Sequence, residues 1–156
     1  MKNIKKILRP LFLISTGGMS YFNFEILCRG YSHISMFLCG GLSFYSIGLL
    51  NEQKRLPLNF LSQMLLGSVI ITGYEYTTGM IVHRYLQLKV WDYSNMPFNY
   101  QGQICLPFSI LWFFLTPVCI IGDDYIRYAL FSGKRPSYLR HNGKSVSERL
   151  TPDNKS

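Results

Sequence analysis

Charged residues are scarce in this chain. Only 15% of its 156 residues are Asp, Glu, Lys or Arg, whereas soluble domains carry about a quarter. Acidic side chains are the scarcest, with 8 Asp and Glu against 16 Lys and Arg. This shortage, together with a hydrophobic content of 48%, argues against a soluble enzyme. The mean hydropathy of +0.12 stays modest because a polar segment, 134–156, offsets the apolar first four-fifths of the chain.

Sequence motifs that hold metals or cofactors are also missing. The chain has no HExxH motif, no Asp-rich diphosphate motif and no haem spacing, so we predict neither a metal site nor a cofactor. No CxxC pair occurs among the four cysteines, which are Cys28, Cys39, Cys105 and Cys119. A disulfide between Cys28 and Cys105 stays open at this point, because both residues are expected near the outer surface.

The basic residues are spread along the chain rather than gathered in one patch. A net charge of +8 could indicate a nucleic-acid partner. However, Lys and Arg lie at the ends of apolar runs, which is typical of helices oriented in a bilayer. We therefore predict the lipid bilayer as the partner and no nucleic acid.

Four apolar runs divide the chain, at 11–27, 34–50, 58–82 and 104–121. A helix needs roughly 17 to 25 residues to cross the hydrocarbon of a bilayer. The pattern predicts an all-α membrane protein, a bundle of four transmembrane helices, whose last helix continues to Phe131. The predicted domains are the transmembrane part, 1–131, and a basic flexible cytoplasmic tail, 132–156. The first run lacks a small-residue cleavage site, which favours a retained helix over a signal peptide.

The distribution of basic residues predicts the topology. Of the 16 Lys and Arg residues, 13 fall in the N-terminal segment, in the second loop, or in the stretch from Arg127 to the end of the tail. Cytoplasmic segments carry the excess of Lys and Arg. We therefore predict a multi-pass protein of the plasma (inner) membrane with both termini in the cytoplasm.

Two carboxylates lie within the apolar runs, and such groups usually face a bundle interior or a water-filled cavity. Glu25 and Glu75 are expected at comparable depth near the outer boundary. If the first helix persists past the glycine at position 30, Glu25 shares one helical face with Arg29 and His33. One interpretation is an outward-opening polar pocket around both carboxylates. The alternative is that Glu25 pairs with Arg29 while the histidines reach the interface.

The third apolar run offers a similar arrangement. Glu75, Thr78, Gly79 and His83 fall on one face of the predicted helix. An offset of 50 residues relates four pairs: Gly17 and Gly67, Phe24 and Tyr74, Glu25 and Glu75, His33 and His83. If this repeat is genuine, the bundle consists of two like-oriented helical hairpins, with the pocket at their interface.

A polar and aromatic loop separates the third and fourth runs. Asp92 is expected to accept backbone amides in an Asx-turn, and Trp91 to anchor the loop at headgroup depth. Asn99 and Gln103 are expected to cap the start of the fourth helix. We interpret this loop motif as structural, and its residues are Trp91, Asp92, Tyr93, Ser94, Asn99 and Gln103.

These motifs resemble a known family over roughly residues 12–124. The residues that carry the resemblance are Trp91, Asp92, Tyr93, Ser94, Pro97, Asn99, Gly102, Cys105, Phe108, Ser109 and Trp112, with Glu25, Arg29, His33, Glu75 and Gly79 before them. They resemble the "Putative ABC-transporter type IV", or CmpB-like, family, whose eukaryotic relatives are the transmembrane protein 229 group. The resemblance implies a multi-pass membrane protein of the transporter permease type.

Three functions are compatible with these observations. The favoured hypothesis is a transporter or permease-type component with an outward-facing polar pocket around Glu25 and Glu75. The first alternative is a membrane-embedded enzyme acting on a lipid or isoprenoid, with His33 or His83 assisting a carboxylate. It ranks second because no nucleophile and base are paired in the sequence. The second alternative is an accessory membrane subunit.

Transport would require additional subunits. Four helices are few to enclose a substrate path, so we expect a homo-oligomer or a partner membrane subunit. An ATPase subunit is a further candidate partner. The second loop, 51–57, is too short for a coupling helix, so only the tail could contact such a subunit.

Overall fold

The computed structural model describes the backbone of residues 2–52 and 58–131, and the side chains of residues 7–50 and 58–131. Its described part is mostly helical. The helices are α1 (Lys2–Arg29), α2 (Ile34–Glu52), α3 (Phe60–Gly79) and α4 (Leu106–Phe131), with a π-helical turn at Met80–Tyr85 and a hairpin of β1 (Asn99–Tyr100) and β2 (Ile104–Cys105). The tail predicted at 132–156 and most of the second loop lie outside the described residues.

Two of these helical segments are long and apolar enough to cross a membrane. They are Ile7–Arg29 and Leu106–Phe131, and Ile34–Leu50 is a shorter apolar helix. Large hydrophobic side chains cover the outside of the bundle, such as Leu27, Val69 and Val118, which are 86%, 67% and 65% exposed. An apolar exterior of this extent is unfavourable in water and suits contact with lipid.

The bundle has two distinct ends. At the loop end, which carries residues 86–105, Arg29 Nη1 donates to the carbonyl oxygen of Val90 at 3.3 Å. At the tail end, the rings of Phe12 and Phe131 lie 5.8 Å apart. The helices α1 and α3 therefore run toward the loop end, and α2 and α4 run away from it.

The first helix stops earlier than one of our predictions required. Gly30 has a φ of +79°, a left-handed conformation that commonly ends a helix. His33 consequently lies outside α1 and does not share the helical face of Glu25 and Arg29. Instead, its carbonyl accepts the amide of Met36 at 2.8 Å, and its Nδ1 accepts the amide of Ser35 at 3.2 Å. His33 thus organises the start of α2.

Small residues bring α1 and α2 into close contact. A Cβ atom on Gly18 would lie 2.6 Å from the carbonyl oxygen of Phe37, and one on Gly41 would collide with the carbonyl oxygen of Ile14. Backbones that approach this closely are a common solution for helices that pack within lipid. Among the described helices, α1 and α2 share the most extensive contact.

The helices α3 and α4 each carry a stripe of buried residues with helical spacing. The stripe on α3 is Gln63, Gly67, Ile71, Glu75 and Gly79, and the stripe on α4 is Trp112, Thr116, Ile120, Asp123 and Arg127. Gly67 faces Thr116, and the Ser68 hydroxyl donates to the carbonyl oxygen of Ser109 at 2.7 Å. Each stripe contains ionisable residues, so the interior of the bundle is not purely apolar.

The four cysteines are free thiols. Cys39 and Cys105 are buried, Cys119 is half-buried and Cys28 is exposed. The disulfide between Cys28 and Cys105 that the sequence left open is therefore not present.

Candidate functional site

The loop after the π-helical turn folds back on the bundle. Asp92 Oδ1 accepts the amide of Ser94 at 2.8 Å and also the Ser94 hydroxyl, which confirms the predicted Asx-turn. These hydrogen bonds favour the carboxylate, so they hold the pKa of Asp92 below its usual value. The amide of Tyr93 donates to the carbonyl oxygen of Gly102 at 2.9 Å. The two sides of the loop are thereby joined.

The predicted capping of α4 is wrong. Asn99 pairs with Cys105 across the hairpin, and its Nδ2 donates to the carbonyl oxygens of Ser94 and Met96 at 3.0 and 2.9 Å. Gln103 Oε1 instead hydrogen-bonds His83 Nδ1. Since α4 begins only at Leu106, the hairpin directs both side chains into the loop rather than to the helix terminus.

Trp91 packs inward rather than anchoring the loop among headgroups. It is 6% exposed, and its indole Nε1 donates to the carbonyl oxygen of Gln103 at 2.9 Å. Its ring meets that of His83 edge-on at 4.4 Å, and its amide donates to His83 Nε2 at 3.4 Å. With Nε2 accepting, His83 Nδ1 is the nitrogen that donates to Gln103. Trp91 and His83 therefore hold the loop on the bundle.

Glu75 is the most deeply buried carboxylate at the loop end. Its side chain is 2% exposed. The Tyr93 hydroxyl donates to Oε1 at 2.9 Å, and Trp112 Nε1 donates to Oε2 at 3.0 Å. Each carboxylate oxygen therefore accepts one hydrogen bond. Because both donors are neutral, neither of them balances the charge of the carboxylate. Burial raises the pKa of the Tyr93 hydroxyl, and the neighbouring Glu75 raises it further, which keeps Tyr93 a donor.

Glu25 has different partners although it too is buried, at 8% exposed. It forms an ion pair with Arg29, one helical turn along, and accepts the Ser32 hydroxyl at 2.5 Å. The guanidinium of Arg29 also lies 5.0 Å from the ring centre of Tyr31. The pairing of Glu25 with Arg29, which the sequence left as one of two interpretations, is the arrangement found.

A cavity of about 370 Å³ lies between the helices, and Glu75 lines it near the loop end. Its remaining wall is largely apolar, with Tyr21, Phe44 and Trp112 among the lining residues. Glu25 does not line this cavity. The prediction of one polar pocket lined by both carboxylates is therefore not met, because Arg29 and Ser32 hold Glu25 at the end of α1.

The other predicted site residues contact groups other than Glu75. Thr78 hydrogen-bonds the side chain of Cys39, His83 contacts Trp91 and Gln103, and His33 lies at the start of α2. Within the described residues, no cluster of three or more His, Cys, Asp or Glu side chains could hold a metal ion. The structure therefore gathers Glu75, Tyr93 and Trp112, and leaves the two histidines outside.

Sequence reasoning missed a second buried polar group. Asp123 and Arg127 form an ion pair at the tail end, with exposures of 0% and 4%, and Arg127 lies 6.0 Å from the ring centre of Tyr45. Arg127 had been counted only among the cytoplasmic basic residues. The spacing of an acid and a base four residues apart, directly after an apolar run, is the signal that could have indicated a buried pair.

Comparison with known proteins identifies the family of this chain. No curated protein and no solved structure gives a significant match to the chain. The family described as "Putative ABC-transporter type IV" matches residues 21–132. This range contains Glu25, Glu75, the loop and the buried ion pair of α4. Because the match covers well over half of the chain, the protein belongs to the putative ABC-transporter type IV family.

Proposed function

We propose that this chain is a multi-pass, permease-type component of a transport system in the plasma (inner) membrane, and that Glu75 is its ligand-recognition group. The observation that carries the proposal is the position of Glu75, buried in the bundle and lining the cavity. A buried carboxylate is costly to maintain within a membrane. An intramembrane carboxylate therefore marks a candidate functional site, and family membership supports a transport role.

The environment of Glu75 favours ligand binding over a purely structural role. Tyr93 and Trp112 orient the carboxylate through neutral donors, and no cation is among these partners. Tyr93 stacks on Phe108 with ring centres 4.6 Å apart, which makes the orientation rigid. A preoriented carboxylate whose hydrogen-bond donors are both neutral is suited to a cationic or hydrogen-bond-donating group.

The proposed topology has four membrane crossings, with both termini in the cytoplasm. It is tested by placing single cysteines at Asn95 and at Gln53 in a chain whose native cysteines are replaced by alanine. An impermeant maleimide added to intact cells should label the first position and not the second. Labelling of the Gln53 probe alone would show that the orientation in the membrane is the reverse of the proposed one.

We further propose that transport needs an ATPase subunit, docked through the basic tail, 132–156, and a second membrane subunit or a second copy of this chain. The tagged full chain, purified from its native membranes in mild detergent, should retain an ATP-hydrolysing partner. Truncation after Lys134 should remove that partner while the transmembrane part, 1–131, still elutes as the same folded species. Absence of any ATPase from the full-length preparation would contradict the transport proposal.

The same preparation tests Glu75 directly. Glu75→Gln should leave the assembly intact and change its rate of ATP hydrolysis by about tenfold, since a tenfold change corresponds to only about 1.4 kcal/mol of altered interaction. Thr77→Val is the matched control, because Thr77 is exposed on the same helix and its hydroxyl donates to the backbone carbonyl oxygens of Gly73 and Tyr74. An unchanged rate in the Glu75 variant would show that this carboxylate is structural.

The two histidines on which the enzyme alternative depends have partners other than a carboxylate. It required His33 or His83 to assist a carboxylate, but both histidines contact other groups. The accessory-subunit alternative would be supported by a purified protein that carries no ATPase and does not respond to Glu75→Gln.

A further inference from the structure

The cavity beside Glu75 is long and narrow. On α4 its lining residues extend from Trp112 to Ile126, a separation of 14 residues that corresponds to about 21 Å along a helix. A volume of about 370 Å³ distributed over that length leaves a cross-section of about 18 Å². A cross-section of this size fits one extended hydrocarbon chain rather than a compact ring system.

The cavity is reached from the side of the bundle. Its walls include residues of α1 and α4, two helices that make little contact with each other because α1 packs mainly on α2. Phe24 and Val118 line it and are 42% and 65% exposed. The cavity is therefore a groove that opens at the seam between α1 and α4, on the apolar surface of the bundle.

The two ends of the groove differ in chemistry. Near the loop end lie Glu75 and the aromatic residues Tyr21 and Trp112, whose ring centres are 5.7 Å apart. Toward the tail end lie Phe44, Gly122 and Ile126. The described lining residues include no Asp, Lys, Arg or His, and Glu75 is the only Glu among them. The groove thus carries a carboxylate at the loop end and is largely apolar toward the tail end, although the hydroxyls of Thr16, Ser20 and Ser43 also line it.

We propose that the groove binds a single-chain amphiphile with a cationic head group, the head at Glu75 and the hydrocarbon chain toward Ile126, entering from the bilayer through the seam between α1 and α4. The inference rests on the proposed function, whose ligand it specifies. An ammonium head would balance the carboxylate charge that Tyr93 and Trp112 leave unbalanced, and could also lie against the Trp112 ring. An anionic head of the same chain length would be repelled by Glu75.

The test measures binding of three probes to the full chain in non-ionic detergent, by native mass spectrometry. Dodecyltrimethylammonium supplies the chain and the cation, dodecanoate supplies the same chain with an anion, and tetraphenylphosphonium supplies a bulky cation without a chain. We expect one dodecyltrimethylammonium per chain, bound at least about tenfold more tightly than either other probe. Equal binding of dodecanoate would overturn the cationic head group, and preferred binding of tetraphenylphosphonium would overturn the single chain.

Two variants locate the binding site. Glu75→Gln should weaken dodecyltrimethylammonium binding by about tenfold. Gly122→Leu should abolish binding altogether. A Cβ atom on Gly122 meets the Phe44 ring, at 3.7 and 3.9 Å, so the larger side chain can enter the groove without striking backbone. This second variant keeps the proposal testable if Glu75→Gln fails to fold.

Gly73→Leu is the matched control, since a Cβ atom on Gly73 has nothing within 4 Å and Gly73 does not line this groove. It should bind the amphiphile as the unmodified chain does. Equal binding by the Gly122 and Gly73 variants would overturn the groove as the site. None of these outcomes depends on the ATPase partner, so a failure here is distinguishable from a failure of the proposed transport role.

Discussion

Glu25 and Glu75 are the same residue type, both buried, each near the loop end of its helix, yet their surroundings differ in charge. Arg29 forms an ion pair with Glu25 from within the same helix, whereas Glu75 accepts hydrogen bonds from the neutral groups of Tyr93 and Trp112. The first carboxylate already has its counterion. The second is oriented but not neutralised by its partners, and it alone lines the cavity. The charge of the side chains that contact the carboxylate, more than its burial, therefore distinguishes a structural carboxylate from a candidate ligand-binding group.

The buried pair of Asp123 and Arg127 extends this comparison. It has the same spacing of four residues as Glu25 and Arg29. The tail-end pair is almost fully buried, with side-chain exposures of 0% and 5%, whereas the Arg29 side chain is 27% exposed. Removing one member of a buried pair leaves a charge in a medium of low dielectric constant, while water can partly replace the partner of an exposed one. The two pairs should therefore differ in their response to mutation.

The largest effect is expected from Arg127→Met, which removes the guanidinium from the buried ion pair with Asp123. Breaking a buried pair in this way costs about 3 to 5 kcal/mol. Chemical unfolding in detergent, followed by circular dichroism, would measure the loss in free energy of unfolding. The double variant with Asp123→Asn should recover most of it, and failure to recover would show that the pair does not act as a unit.

Arg29→Met should have a smaller effect, about 2 kcal/mol, because the Arg29 side chain is partly exposed and water can solvate part of the stranded charge. The same unfolding measurement applies, with Glu25→Gln combined as the compensating change. A loss as large as that of Arg127→Met would mean that exposure does not set the difference between the two pairs.

Tyr93→Phe removes one neutral donor from the Glu75 carboxylate and should cost about 1.5 kcal/mol, the lower end for a hydrogen bond to a charged group. Its control is Tyr85→Phe, since Tyr85 is 81% exposed and should tolerate the change. The comparison between Glu25 and Glu75 would be weakened if Tyr93→Phe matched Arg29→Met, because a neutral donor would then be worth as much as the counterion.

The smallest effect is expected at Asp92, which lies on the exposed face of the loop. Its folded-state pKa is lowered by the Ser94 hydrogen bonds, so its stabilising contribution is present above the ordinary aspartate pKa and is lost as the pH falls through the lowered value. Melting temperatures of the unmodified chain and of Asp92→Asn should differ slightly at neutral pH and converge in strong acid. A difference that persists in acid would contradict this account.

The sequence by itself determined the helical segments and much of the loop. The four apolar runs lie within or largely overlap the four observed helices, because hydrophobic length and flanking polar residues act locally. The Asx-turn at Asp92 was predictable for the same reason, since it involves residues only two positions apart. The pairing of Glu25 with Arg29 was one of two interpretations, and it too depends on local spacing.

Only the tertiary structure decided which carboxylate faces the cavity and which polar groups surround it. Tyr93 and Trp112 are 18 and 37 residues from Glu75, and no local pattern places them on its two oxygens. The hairpin likewise places the side chains of Asn99 and Gln103 in contacts within the loop and with His83, not at the start of the helix that they were expected to cap. Their hydrogen bonds depend on how distant segments pack, and packing chooses partners by three-dimensional fit and the need to satisfy buried polar atoms rather than by sequence spacing.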